Sequence, residues 1–222
     1  MLDAILFDLD GTLADTDSIH FAVWQDILVR YELDIDRSFY RQRISGRTNS
    51  KIIKDIIPQL TLEDAWKLAT EKEETYRRLA NSLLPTPGLE RLIELTERAR
   101  IKRAVVTNAP EDNAVYMLKI LRLTDTFPTV IMAKDAPPGK PDPAPYKLAL
   151  NRLLVKGNQA IAFEDSAAGI RSAVSAGIYT IGITSSHPAE DLLNAGASMT
   201  IADFNDQQLW EFLDSKTKAS HE

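Results

Sequence analysis

Phe7-Asp8-Leu9-Asp10-Gly11-Thr12-Leu13 follows directly on the apolar run Ala4-Ile5-Leu6-Phe7. That run predicts a strand buried on both faces, the kind found in parallel sheets. Two carboxylates two residues apart, just past the strand's end, contribute nothing to packing and repel each other. Chemistry can use them, one as nucleophile and metal ligand, the other as proton carrier. Gly11 lets the chain turn sharply and approach a ligand. Taken alone, the pair also fits a surface turn after a strand.

The rest of the chain supplies the context. Ser18 to Tyr31 reads as a helix capped by Asp17 or Ser18, with Phe21, Trp24, Ile27 and Leu28 on one face. From there to Leu84 the patterns are helical: Ile52, Ile53, Ile56 and Ile57, then Leu62, Ala65, Trp66 and Ala69, separated by Pro58. Pro85-Thr86-Pro87-Gly88 breaks the chain. Beyond it helices and strands alternate, with helices at Leu89 to Arg98, Asn113 to Leu121, Ala144 to Leu154 and Ala167 to Ala176. The strands are expected at Ala104–Val106, Val130–Met132, Ile161–Phe163, Tyr179–Ile183 and Met199–Ile201. The expected fold is therefore α/β: a Rossmann-like, three-layer parallel sheet core with an inserted all-helical domain. The division expected is 1–14 and 85–222 for the core and 15–84 for the insertion. The tail from Lys216 reads as polar and frayed, leaving His221 without a role.

Composition narrows the chemistry. With 222 residues, 44% of them apolar, the chain can bury a full core. It has no cysteine, so neither a disulfide nor a thiolate site exists. A net charge of −6 argues against a broad nucleic-acid surface. The N-terminus shows no basic leader, and no apolar run is long enough to span a bilayer, so a cytoplasmic protein without membrane or protein partners is expected.

In a doubly wound sheet ligands bind beyond the carboxyl ends of the strands. The residues there are Asp8 and Asp10, then Thr107 and Asn108, then Lys140 in a loop with five prolines, then Glu164, Asp165 and Ser166. Glu164 and Asp165 alone would suit a helix N-terminus, and Lys140 alone a solvent-exposed site. Together, four carboxylates at one edge call for a cation, and oxygen donors without His or Cys favour magnesium over zinc.

Asp8-Leu9-Asp10-Gly11-Thr12, Val106-Thr107-Asn108, Gly139-Lys140-Pro141-Asp142-Pro143 and Phe163-Glu164-Asp165-Ser166 occur in the order, and at the strand ends, of the haloacid dehalogenase superfamily of phosphotransferases. The chain resembles in particular its beta-phosphoglucomutase-like and small-molecule phosphatase branch, over nearly its whole length. The helical insertion then resembles that family's cap. The resemblance implies that Asp8 attacks phosphorus and that Asp10 serves as acid and then base, with a pKa raised by its acidic neighbours. It implies Mg2+ held by Asp8, the Asp10 carbonyl and Asp165, with Glu164 directly or through water, and phosphoryl oxygens held by Lys140, Thr107 and Asn108.

Within the insertion, Arg37, Arg41, Arg43, Arg47, Lys51 and Lys54 fall in a stretch without Asp or Glu. Arg47, beside Gly46, is the one expected to reach an anionic substrate. His20 matches a histidine that the mutase branch uses beside the acid/base, and Lys72 a cap lysine of that branch. Asp10 argues against haloalkanoic acid dehalogenation and phosphonate cleavage, and the missing spans against a pump-type ATPase. Thr107-Asn108-Ala109-Pro110 looks more like the phosphatases, because Ala109 and Pro110 cannot grip a second phosphate through side chains. The expected activity is a magnesium-dependent phosphatase of small sugar or polyol phosphates. The alternatives are a beta-phosphoglucomutase-type mutase and a non-catalytic binding protein on the same scaffold.

Overall fold

The computed structural model describes residues 2–218. Among those residues the chain forms six strands: β1 (Ala4–Phe7), β2 (Lys102–Val106), β3 (Val130–Ile131), β4 (Ala160–Glu164), β5 (Tyr179–Ile183) and β6 (Met199–Ile201). They make one sheet in the order β3-β2-β1-β4-β5-β6, every pair parallel. The chain winds from β1 outward through β2 to β3, then returns to the other side of β1 for β4. That reversal puts the ligand crevice at the carboxyl ends of β1 and β4. Register brings Phe7 level with both Val105 and Phe163, so Asp8, Thr107, Glu164 and Asp165 emerge along one edge.

Alternation along β1 divides the core. Ile5 and Phe7 face a layer with Val105, Phe163 and Ile183, covered by α5 (Leu89–Arg98), α6 (Glu111–Ile120) and α10 (Gln207–Lys218). Phe7 stacks on Phe163 with ring centroids 5.5 Å apart. The opposite face is built from small residues, Ala4, Ala104, Ala160 and Ala162, beside Leu6. Their size lets α7 (Ala144–Leu153) and α8 (Ala167–Ser175) lie close to the sheet.

Helix α10 includes residues 216–218, the start of the stretch expected to be frayed; the rest of that stretch lies outside the described residues. Its sequence reads as polar because few positions face inward; Leu209 and Leu213, one turn apart, are both fully buried. His221 lies outside the described residues. The short helix α9 (Ala189–Asn194) was also not anticipated; it is held by Leu192 packing on Ile170. Strand β2 begins two residues earlier than expected, since Lys102 pairs with Ala4 through its backbone whatever its side chain does.

After β1 come four helices, α1 (Asp17–Val29), α2 (Arg37–Arg43), α3 (Asn49–Ile56) and α4 (Leu62–Leu79). They share a cluster of their own, with Trp24, Leu28, Ile44, Ile53 and Leu68 buried together. The segments leading in and out lie side by side: Thr86 N–H donates to Leu13 O (2.9 Å), and the Thr86 hydroxyl donates to Thr12 O (2.7 Å). The last turn of α4 packs on the sheet layer through Tyr76 and Ala80. No helix among the described residues is long and apolar enough to cross a membrane.

Candidate active site

A cavity of about 880 Å³ lies between the carboxyl edge of the sheet and helices α1, α3 and α4. Asp8, Asp10, Thr107, Lys140 and Asp165 line its floor. Lys140 Nζ lies 2.5 Å from Asp8 Oδ1 and 2.6 Å from Glu164 Oε1. Tyr146 donates its hydroxyl to the same Glu164 oxygen (2.6 Å), and Ser186 donates to Asp165 Oδ2 (2.5 Å). Glycines make this crowding possible. A Cβ on Gly11, whose φ is +74°, would lie 2.1 Å from Asp165 Oδ2, and one on Gly169 would lie 1.8 Å from Glu164 Oε2.

Among the described residues, Asp8, Glu164 and Asp165 each bring an oxygen within 4.8 Å of the others. Burial, together with the Glu164 charge, pushes the Asp8 carboxyl up to about 8 despite Lys140. Burial, Asp8 and Glu164 push Asp165 well up too. Burial alone would lower the Lys140 pKa, but Asp8 and Glu164 outweigh it, so the ammonium persists as a fixed charge. Glu164 Oε2 is buried with no hydrogen-bond partner. An acidic cluster of hard oxygens with one lysine to offset it, and one carboxylate oxygen unspent, fits a divalent cation of the magnesium type.

Asp10, also on the floor, is held by residues of the helical insertion. Its Oδ1 accepts from Thr16 Oγ1 (2.9 Å) and contacts His20 Nε2 (3.0 Å) and the Tyr76 hydroxyl (3.4 Å). Lys72 Nζ lies 2.9 Å from His20 Nδ1. An ammonium can only donate, so Nδ1 accepts and Nε2 carries the ring proton toward Asp10. The ring also stacks flat on Tyr76, with centroids 4.1 Å apart. The expectation of a raised Asp10 pKa is corrected here. Burial does push it up, but hydrogen bonds from His20 and Thr16 and the charge of Lys72 hold it below the ordinary aspartate value.

Thr107 is buried, and its Oγ1 accepts from Ala109 N–H (2.9 Å), leaving its own proton to donate. Asn108 is engaged at both ends: Nδ2 donates to Gly46 O (2.9 Å) and Lys140 O (3.2 Å), while Oδ1 accepts from Lys140 N–H (3.0 Å). It therefore sets the Lys140 loop and joins it to the helical insertion, instead of presenting a free amide to a substrate. Arg47 borders the cavity, but its guanidinium is bonded to Asp55 (2.9 Å) and Arg43 O (2.6 Å). Lys72, which the sequence matched to a cap lysine, is buried at 3% exposure.

Sequence reasoning missed Thr16, Tyr76, Glu73, Tyr146 and Ser186. Ser186 follows β5, so extending the inspection of strand ends by one strand would have found it. Thr16 and Tyr76 carry no local signal; only the packing of α1 and α4 brings them to Asp10.

The model for haloacid dehalogenase-like hydrolases matches residues 5–183. The chain belongs to this family. It is 32% identical over 200 residues to the phosphorylated carbohydrates phosphatase of Thermotoga maritima, covering 88% of this chain and 92% of that one. It is also 32% identical over 197 residues to the validoxylamine A 7'-phosphate phosphatase of Streptomyces hygroscopicus subsp. limoneus, covering 88% and 92%. Among solved structures, the beta-phosphoglucomutase of Clostridium difficile superposes with a TM-score of 0.86 at 25% identity, covering 99% of this chain and 98% of that one. As a family member the chain carries its motifs at the edge where the register of β1, β2 and β4 brings them together.

Proposed function

We propose that this chain is a magnesium-dependent phosphatase of small phosphorylated carbohydrates, working through an aspartyl-phosphate on Asp8. The observation that carries the reading is the floor of the cavity. There a buried carboxylate held by Lys140 faces the same space as a second carboxylate, Asp10, supplied with a proton partner by His20. The names of the Thermotoga and Streptomyces relatives support a phosphorylated carbohydrate as substrate.

Asp8, Glu164 and Asp165, with the Asp10 carbonyl, would hold Mg2+, which when bound supplies positive charge against the phosphoryl oxygens. Asp8 attacks phosphorus in line and the leaving-group oxygen departs. The Lys140 ammonium and the Thr107 hydroxyl hold equatorial oxygens. Asp10 protonates the departing oxygen. Because its resting carboxyl is ionised, this proton arrives with the substrate, whose phosphate has a second pKa of about 6. Asp10 then takes a proton from the water that hydrolyses the aspartyl-phosphate, while the His20 Nε2–H keeps it oriented.

Phosphate release from a panel of sugar and polyol phosphates, with Mg2+ and with EDTA, tests this. No release from any ester would overturn it. The His20–Lys72 contact and the Clostridium structure favour a second reading, a phosphosugar mutase. A mutase would convert beta-glucose 1-phosphate to the 6-phosphate with a bisphosphate activator and release little phosphate.

Two outcomes follow from the metal and the cap. A carboxyl with a raised folded-state pKa holds a proton that the unfolded chain has already released. Metal-free protein should therefore lose stability as pH rises from about 3.8 to about 8, through Asp8 and in the same direction through Asp165. Mg2+ should flatten that slope and raise Tm by about 5–10 °C at a hundredfold excess over Kd. Thermal melts across pH, with and without Mg2+, check both; an unchanged slope would remove the metal from this cluster.

We also propose that residues 15–84 move as a cap, hinged at the paired segments beside Ala14 and Pro85. Gly46, with φ +71°, seats against the core so closely that a Cβ would lie 2.5 Å from Ser166 Oγ. Gly46→Val should hold the cap off and lower kcat/KM by the order of 10²-fold while the circular dichroism spectrum is preserved. Unchanged kinetics would show that this contact is not needed.

A further inference from the structure

Glu73 is a buried carboxylate on α4, outside the acidic cluster, that plays no part in the proposed reaction, yet it borders the cavity. Its Oε1 accepts from Asn49 Nδ2 (2.5 Å) and Lys72 Nζ (3.0 Å), and its Oε2 accepts from Asn113 Nδ2 (2.5 Å). A carboxylate offers about four acceptor positions, so Oε2 retains one. Burial pushes its pKa up, but the Lys72 charge and the Asn49 hydrogen bond hold it below the ordinary glutamate value, so it is an anion.

We propose that Glu73 selects the substrate of this site, accepting a hydroxyl hydrogen bond from an uncharged polyol leaving group and excluding esters that carry a second anionic group. The inference rests on the phosphatase reading above and refines it. A second phosphate at the far end of a sugar would need a cation on the cap side of the cavity, and each one there is already engaged by the protein. On the cap, Arg47 is paired with Asp55 and Lys72 with Glu73; on the core side, Lys134 is paired with Glu111. Lys51 donates to Pro138 O (2.8 Å) at the seam between cap and core. Asn113 is itself held by Arg77, whose Nη1 donates to its Oδ1 (2.6 Å), so that guanidinium is not free either. Across the cavity, Ala109 and Pro110 offer no side-chain donor. The lining there also includes Glu73, the half-buried amide of Asn49, the hydroxyls of Thr48 and Ser50 and the exposed ring of Trp66, groups suited to hydroxyls and sugar carbons.

The test compares kcat/KM for fructose 1-phosphate and fructose 1,6-bisphosphate. Wild type should prefer the monophosphate at least about tenfold, the scale of one good hydrogen bond. Glu73→Gln, of equal size, should shrink that ratio by about tenfold, mainly through KM. Asn49→Arg, which sets a cation beside Glu73, should shift it the same way should the first variant fold poorly. Equal use of the two esters by wild type, or a ratio unmoved in the variants, would overturn the proposal. If neither ester is turned over, the phosphatase reading is decided by the wider panel above. The selectivity is then read by calorimetry as the ratio of Kd values in Asp8→Asn, where equal binding would overturn it.

Discussion

Asp8→Asn is expected to lower phosphate release by at least about 10⁴-fold, the scale on which enzymes lose activity when their nucleophile is removed. The substitution changes one atom and little else. The amide oxygen still accepts from Lys140 at the position where Oδ1 lies 2.5 Å from the ammonium, and Asp8 N–H still donates to Phe163 O (2.9 Å). What disappears is the lone pair that attacks phosphorus and one of three carboxyl groups crowded within 4.8 Å of one another. The metal-free variant should therefore be at least as stable as wild type, and its gain in Tm with Mg2+ should be smaller. Phosphate release, thermal melts and urea denaturation measure all three. Residual turnover within about tenfold of wild type would mean that Asp8 is not the nucleophile.

Lys140→Met should have the largest effect on stability, about 3–5 kcal/mol, the usual result of leaving a buried ionic group without its partner. Lys140 is 2% exposed and sits between Asp8 and Glu164, with Asp165 in the same cluster. Without the ammonium these carboxylates must take up protons or repel one another. The loss should thus grow as pH rises, and Mg2+ should recover part of it. Turnover should be lost as well, since methionine cannot hold a phosphoryl oxygen. Urea denaturation at two pH values, with and without Mg2+, tests the stability claim. A change below about 1 kcal/mol would show that Lys140 is not the counter-charge.

Both substitutions fall on residues that the sequence made visible, and the reason is local. Asp8 and Glu164 lie at the ends of short apolar runs that only a central strand explains, and Lys140 lies in a loop whose prolines bar regular structure. Helix α10 was harder to see, because Leu209 and Leu213 are its fully buried apolar side chains and the residues around them are polar. The Asp10 environment was harder still. His20, Lys72 and Tyr76 come from two helices, with Thr16 just before the first, and they meet only when α1 packs on α4, so nearby acids suggested a raised pKa where the fold supplies donors that lower it.

The sequence by itself determined the strand order's raw material, the family and the four motifs of the floor, because each of these depends on residues adjacent in the chain. Only the tertiary structure decided how the side chains are spent: Arg47 on Asp55, Asn108 on the cap and the Lys140 loop, and Glu73 on Asn49, Lys72 and Asn113. Those pairings join positions up to 62 residues apart. They follow from which helix faces pack together, which buried charges must find partners, and which glycines let backbones approach, and no spacing along the chain encodes them.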